Sequence, residues 1–194
     1  MKTVFFDIDT QIDFLFPAGA LYVPGAEKLL DRIARLNRHA AEHGGRVIST
    51  MDAHTENDPE FKAWPPHCVA GTFGQQKPAA TLLDKRITIP SSTCTKDFAG
   101  MQQILLEKQT FDCFSNANLE RIFAAAQADR YVVYGVVTEI CVQLAAFGLL
   151  KTGKRVELVT DAVRSLSDAA SDAMAREFTA QGGVLTTSDA VFGA

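Results

Sequence analysis

The stretch from Arg130 to Lys154, RYVVYGVVTEICVQLAAFGLLKTGK, decides how the rest of the chain is read. It opens with Tyr131–Val137, an apolar, β-branched run of strand length with one glycine, Gly135, near its end. Thr138 follows as an N-cap, and Glu139–Leu150 reads as a helix with apolar residues on most faces. A strand passing straight into an apolar helix is the unit of a parallel sheet covered by helices. Cys141 falls in the first turn of that helix. Unpaired N–H groups and the positive dipole end there favour thiolate over thiol, the nucleophilic form. The alternative is a small buried residue packing helix against strand, since free cysteine is among the most buried residue types.

Working outward, the same alternation recurs. Val4–Ile8 is an apolar run carrying Asp7 and followed by Asp9, and Ala26–His43 bears a helical stripe closed by Gly44-Gly45. Arg46–Met51 is a second strand, ending at Asp52; Arg86–Pro90 and Ile104–Lys108 are shorter ones. Asn116–Gln127 reads as a short helix. Arg155–Thr160, a helix capped by Ser167 and ending at Gln181, and Val184–Thr187 complete the series. The strands are apolar nearly throughout, as strands buried on both faces should be. The expectation is a three-layer α/β/α sandwich with a mainly parallel sheet, forming a single domain over residues 1–194. The segments from Thr10 to Gly25 and from Ala53 to Gln76 are long loops, and loops of that length in compact domains are usually functional.

Bulk properties narrow the function. A chain that is 47% hydrophobic and 22% charged has enough apolar residues for one filled core. A net charge of −4 without a Lys/Arg cluster argues against nucleic acid or an anionic membrane as partner. No apolar run reaches transmembrane length, and the N-terminal apolar segment is short and broken by Asp7, unlike a secretion signal. The four cysteines lie scattered without a C-x-x-C pair and are expected as reduced thiols, with a cytoplasmic location as the default. Cys68, Cys94 and Cys113 read as structural.

In parallel sheets the site lies beyond the carboxyl ends of the strands. Asp9, Asp52, Lys108 and Cys141 each fall at such an end, so all four are expected on one rim. A carboxylate near the cysteine can accept and return its proton, and a lysine beside both would lower the thiol pKa. Against this, Asp9 could be a loop-start aspartate and Lys108 a solvated surface lysine. Asp52 and His54, two apart in an extended segment, point the same way; His67 returns after Trp64-Pro65-Pro66, with Glu60 between. Such a set suits zinc, iron(II) or manganese, or else merely hydrogen-bonds its own loop. Phe14 and Trp64 sit in the two loops above this rim, where they could face a flat substrate from both sides or cover the core.

Four ordered motifs are then similar to those of the isochorismatase-like cysteine hydrolases, among which the chain most resembles the nicotinamidases (pyrazinamidases). They are Asp9-Thr10-Gln11-Ile12-Asp13-Phe14 with Gly19-Ala20-Leu21-Tyr22-Val23-Pro24-Gly25; Asp52-Ala53-His54 with Trp64-Pro65-Pro66-His67-Cys68 and Gly71-Thr72; Lys108 with Phe111 and Phe114; and Gly135-Val136-Val137-Thr138-Glu139-Ile140-Cys141-Val142. The resemblance implies Asp9 as general acid/base, Cys141 as nucleophile and Lys108 as the organising cation. It implies a cis peptide between Val136 and Val137, an oxyanion hole from the N–H groups of Val137 and Cys141, and a substrate site flanked by Phe14, Trp64 and Val137. It also implies a divalent metal, zinc foremost with iron or manganese as alternatives, on Asp52, His54 and His67, with Glu60 as a further ligand. The implied reaction is hydrolysis of nicotinamide to nicotinate and ammonia through a thioester. Another small amide or carbamoyl compound is the alternative substrate, and a catalytically silent metal-binding protein the alternative of another class. Family members commonly assemble as dimers or larger, but the sequence carries no interface signature. Three departures stand out: Ile12 in place of the family's usual Asn, the Val137–Ile140 spelling around the cysteine, and a poorly matching segment from Lys77 to Lys108, a place where specificity could reside.

Overall fold

The computed structural model describes residues 1–193. Its centre is one seven-stranded sheet, all parallel, in the order β3-β4-β2-β1-β5-β6-β7. The strands are β1 (Thr3–Ile8), β2 (Arg46–Asp52), β3 (Arg86–Ile89), β4 (Gln103–Lys108), β5 (Arg130–Val136), β6 (Arg155–Arg164) and β7 (Val184–Thr186). The helices are α1 (Ile12–Leu15), α2 (Leu30–Glu42), α3 (Leu119–Ala126), α4 (Gln143–Leu150), α5 (Asp168–Ala180) and α6 (Ser188–Phe192). Alternate residues of β1 feed two separate apolar cores. Val4, Phe6 and Ile8 pack with residues of α3, α4 and α5, while Phe5 packs with residues of α2 on the other face. The expected α/β/α layering follows from this, with the sheet fully rather than mainly parallel.

The chain leaves β1 for β2 on one side and later places β5 on the other. That reversal opens a crevice beyond the carboxyl end of β1, where open α/β sheets bind their ligands. Asp9 sits at its base. Its backbone N–H donates to the Thr50 carbonyl, and φ is 48°, a left-handed conformation that aspartate tolerates better than most residues.

Three local readings are corrected. Thr138 does not cap a helix: its hydroxyl is buried with no partner, and Val137 occupies the cap position. The chain first makes a wide turn at Thr138–Val142, with Val142 N–H donating to Val137 O, and only then enters α4. β6 runs four residues beyond the Thr160 limit, because Gly135 and Val136 continue to pair with Val163 and Arg164 across a bulge. Gly135 has φ 122° and faces Ile8 so closely that a Cβ would lie 2.1 Å from its carbonyl oxygen, so only glycine fits there. The terminal α6, capped by Thr187, has a pattern too short to register as periodic.

Candidate active site

Asp9, Asp52, Lys108 and Cys141 converge on the rim, as the strand-end argument required. The register pairs Asp52 with Lys108 across β2 and β4, so two adjacent strands end in opposite charges. Lys108 is 1% exposed and sits at the centre. Its Nζ forms a very short ion pair with Asp52 Oδ1, lies 2.8 Å from Asp9 Oδ2 and 3.8 Å from Cys141 Sγ. The surface-lysine alternative is thereby excluded. Burial alone would strip Lys108 of its charge, but Asp52 and Asp9 reverse that and hold its pKa well above the usual lysine value.

The two carboxylates diverge. Burial raises Asp9, and its proximity to Asp52 adds to this, against the pull of Lys108; Thr50 Oγ1 donates to Asp9 Oδ1 at 2.6 Å. Burial also pushes Asp52 upward, but Lys108 and His54 outweigh it and hold it below its ordinary value. One carboxyl is thus predisposed to take a proton and the other to stay charged. The cysteine differs from expectation. Burial pushes the Cys141 thiol well above its usual pKa; Lys108 opposes this, and Asp9 and Asp52 add to it. Desolvation outweighs the helix terminus, so the resting sulfur is a thiol facing a carboxylate rather than a free thiolate. Cys68 and Cys113 are also buried, and burial raises both thiols.

Asp52, His54 and His67 offer one ligand atom each, all within 4.8 Å of one another. His54 Nε2 and His67 Nε2 lie 3.8 and 3.9 Å from Asp52 Oδ2, and 4.0 and 3.6 Å from Glu60 Oε1. His54 is fully buried, and its Nε2 has no directed hydrogen bond, a condition that a metal there would relieve. His67 Nδ1 is held by the Pro65 carbonyl at 2.8 Å, which fixes the ring with Nε2 toward the cluster. Burial lowers His67 and so favours the neutral, ligating form. Burial works the same way on His54, but Asp52 and Asp58 on either side carry it up to about 9. This donor set, two imidazoles with one or two carboxylates, fits a divalent cation.

The sequence reading missed the residues that hold this set in place. Asp58 Oδ2 lies 3.0 Å from His54 Nδ1, behind the ring. Gln11 clamps Asp52 from both sides: its amide nitrogen donates to Asp52 O at 2.8 Å and its oxygen accepts from Asp52 N at 2.7 Å. Asp13 accepts from the N–H of Cys68 at 2.7 Å, next to His67, and from Ala20 N–H at 2.9 Å. Behind them, buried Lys77 lies 3.1 Å from Asp7 Oδ2 and donates to Thr10 Oγ1, tying the loop before β3 to the end of β1. Apart from Asp58, four residues after His54, these partners lie dozens of residues from the groups they hold, so spacing does not reveal the contacts.

A cavity of about 100 Å³, open to solvent, stands above the cysteine. Phe14, Trp64, Glu60, His67 and Val137 line it, together with Leu21, Phe111 and Leu166, which the sequence reading had not placed there. The segment 77–107 supplies none of its lining; that segment builds the sheet edge and carries the Lys77 anchor. The peptide between Val136 and Val137 is cis.

A buried cysteine, aspartate and lysine meet at the switch point of a parallel sheet, beside a metal-competent cluster, an arrangement suited to hydrolysis. Comparison with known proteins gives the family: the Isochorismatase domain pattern matches residues 3–190, and the chain belongs to that family. It is similar to the nicotinamidase of Saccharomyces cerevisiae, 24% identical over 196 residues spanning 87% of this chain and 90% of that one. Among solved structures it resembles the pyrazinamidase of Pyrococcus horikoshii in complex with zinc (25% identity, TM-score 0.82, 96% of this chain and 99% of that one). It also resembles PnC1 of L. infantum in complex with nicotinate (28% identity, TM-score 0.79, 97% of this chain and 94% of that one). Among the described residues no helix is long and apolar enough to cross a membrane.

Proposed function

We propose that this protein is a metal-assisted cysteine amidohydrolase that converts nicotinamide to nicotinate and ammonia. The observation that carries the reading is the meeting of Asp9, Lys108 and Cys141 beneath a cavity whose walls include Phe14 and Trp64. Asp9, raised by burial, takes the proton of the Cys141 thiol as sulfur attacks the carboxamide carbon. Backbone N–H groups of Val137 and Cys141 hold the oxyanion. Asp9 returns the proton to the departing ammonia, leaving a thioester, and then activates the water that cleaves it. Lys108 stays charged throughout and stabilises negative charge on Asp9 and sulfur. Asp52, His54 and His67, with Glu60 beside them, would hold a divalent cation, zinc foremost with iron or manganese as alternatives. Bound there, a divalent cation would supply Lewis-acid chemistry beside the substrate.

The charge of the pocket supports a neutral substrate. Among the described residues no lysine or arginine lines the cavity, and Lys108 behind it is committed to two carboxylates, so no basic side chain is free to pair with a substrate carboxylate. A second reading, another small neutral amide or carbamoyl compound, is favoured by one observation: branched Val137 and Ile140 both line the cavity, beside Cys141. In either case the chain works as one domain on a free small molecule, without nucleic acid or membrane.

The deciding experiment is ammonia release from nicotinamide by zinc-replete protein, with Cys141→Ala and Asp52→Ala alongside. Activity lost in both variants is the expected result. Absence of activity in the parent protein, with metal bound and Cys141 still alkylated by iodoacetamide, would reject nicotinamide and redirect the search to other amides.

A further inference from the structure

The cavity has a floor and a mouth, and exposure tells them apart. Asp9, Val136 and Cys141 are 1%, 1% and 8% exposed, whereas Leu166 is 50% exposed and lines the same cavity. Leu166 therefore stands at the solvent end, opposite the reacting atoms. It comes from the connection between β6 and α5, in the run Ser165-Leu166-Ser167-Asp168, where it is the only apolar residue. Nothing in the local sequence would keep a leucine of a short polar connection over a pocket.

A tether does so. Glu139, two residues before Cys141 on the turn that carries the nucleophile, reaches across to this connection. Its Oε1 accepts the backbone N–H of Leu166 and that of Ser167, each at 2.9 Å. Ser167 in turn caps α5, its Oγ accepting from Ala170 N–H. The carboxylate thus sits at the N-terminal end of a thirteen-residue helix. The other oxygen, Oε2, is buried without a partner, an arrangement that is costly unless the fixed geometry serves a purpose. The nucleophile-bearing turn and the pocket mouth are locked together through one side chain.

We infer that Leu166 is a specificity-determining residue, limiting the outer edge of the acyl group to a single ring, and that Glu139 is the positioning residue that holds it there. This rests on the carboxamide reading of the site. Apolar walls discriminate by fit, and one misplaced methylene-sized contact changes selectivity by about tenfold or more. With Leu166 trimmed or released, the mouth should admit a fused second ring while the reacting centre stays in place.

The test compares kcat/KM for nicotinamide and for quinoline-3-carboxamide, which carries the same pyridine carboxamide with a fused ring. In Leu166→Ala the ratio of the larger to the smaller substrate is expected to rise about tenfold, through KM. Glu139→Ala should shift the ratio in the same direction. Glu139→Gln, whose amide oxygen can still accept both N–H groups, should keep the parent ratio. An unchanged ratio in Leu166→Ala overturns the specificity role, and a change there without one in Glu139→Ala overturns the tether. If the parent protein hydrolyses neither compound, the nicotinamide reading fails but the inference remains open to a separate measurement. Peptide-mapped alkylation of Cys141 by iodoacetanilide relative to iodoacetamide should then rise in Leu166→Ala, and an unchanged ratio refutes the inference.

Discussion

Replacing Lys108 with methionine keeps the length of the side chain but removes the one cation between Asp9 and Asp52. All three residues are buried, at 1%, 1% and 3% exposure, so water cannot take over the role of the ammonium. Removing one partner of a buried ion pair typically destabilises by about 3–5 kcal/mol, because a charge is left uncompensated. Here two carboxylates lose the same partner. Asp9 retains the Thr50 hydroxyl at 2.6 Å, which limits its share. We therefore expect Lys108→Met to lose ~5 kcal/mol in metal-free protein, a fall in Tm of about 10–20 °C for a chain of this size. In urea the midpoint should drop by roughly 2 M with m unchanged, which identifies a loss of stability rather than a change in the unfolded state. Adding Asp9→Asn to this variant removes one stranded charge and should recover about 2 kcal/mol, a coupling visible in a double-mutant cycle. A loss below ~1 kcal/mol, or additivity of the two substitutions, would refute the account of Lys108 as the cation that both carboxylates require.

Three further outcomes follow from other parts of the structure. Lys77→Met should destabilise by ~3 kcal/mol, toward the low end for a broken buried pair, because Asp7 keeps Thr10, Ser49 and Asn37 as donors; a urea midpoint equal to the parent's would show that this pair contributes nothing. Asp58→Ala should weaken zinc binding about 10–100-fold in a chelator competition, since the group behind His54 Nδ1 orients the ligand, and unchanged affinity would remove Asp58 from that role. Burial, with His43 beside it, depresses the pKa of His39 below 6.5. The folded state therefore resists protonation there, and the contribution is fully present above pH 6.5 and is lost as pH falls through the folded value. Stability of the parent should decline more steeply than that of His39→Gln below pH 6.5, and parallel urea-midpoint profiles would count against it.

The alternation of strands and helices, and the placement of acids, lysine and cysteine at strand ends, can be read from the residues alone. Both are local consequences: apolar runs flanked by polar turns fold where they stand, and parallel strands deliver their last residues to one edge. That is why Asp9, Asp52, Lys108 and Cys141 could be predicted to meet. The Asp52-x-His54 pair was legible for a similar reason, since two residues apart on an extended chain share a face. Tertiary structure alone decided the state of the cysteine. A helix start and a lysine both favour thiolate, but the depth of burial that reverses them depends on what packs above the sulfur. It also decided the supporting partners, Gln11 on Asp52, Asp58 on His54, Lys77 on Asp7 and Glu139 on the Leu166 connection. Their side chains satisfy backbone and buried charges up to dozens of residues away, and hydrogen bonding leaves no period in a sequence. The chain encodes where its reactive groups stand through local pattern, and what charge they carry there through contacts that only folding creates.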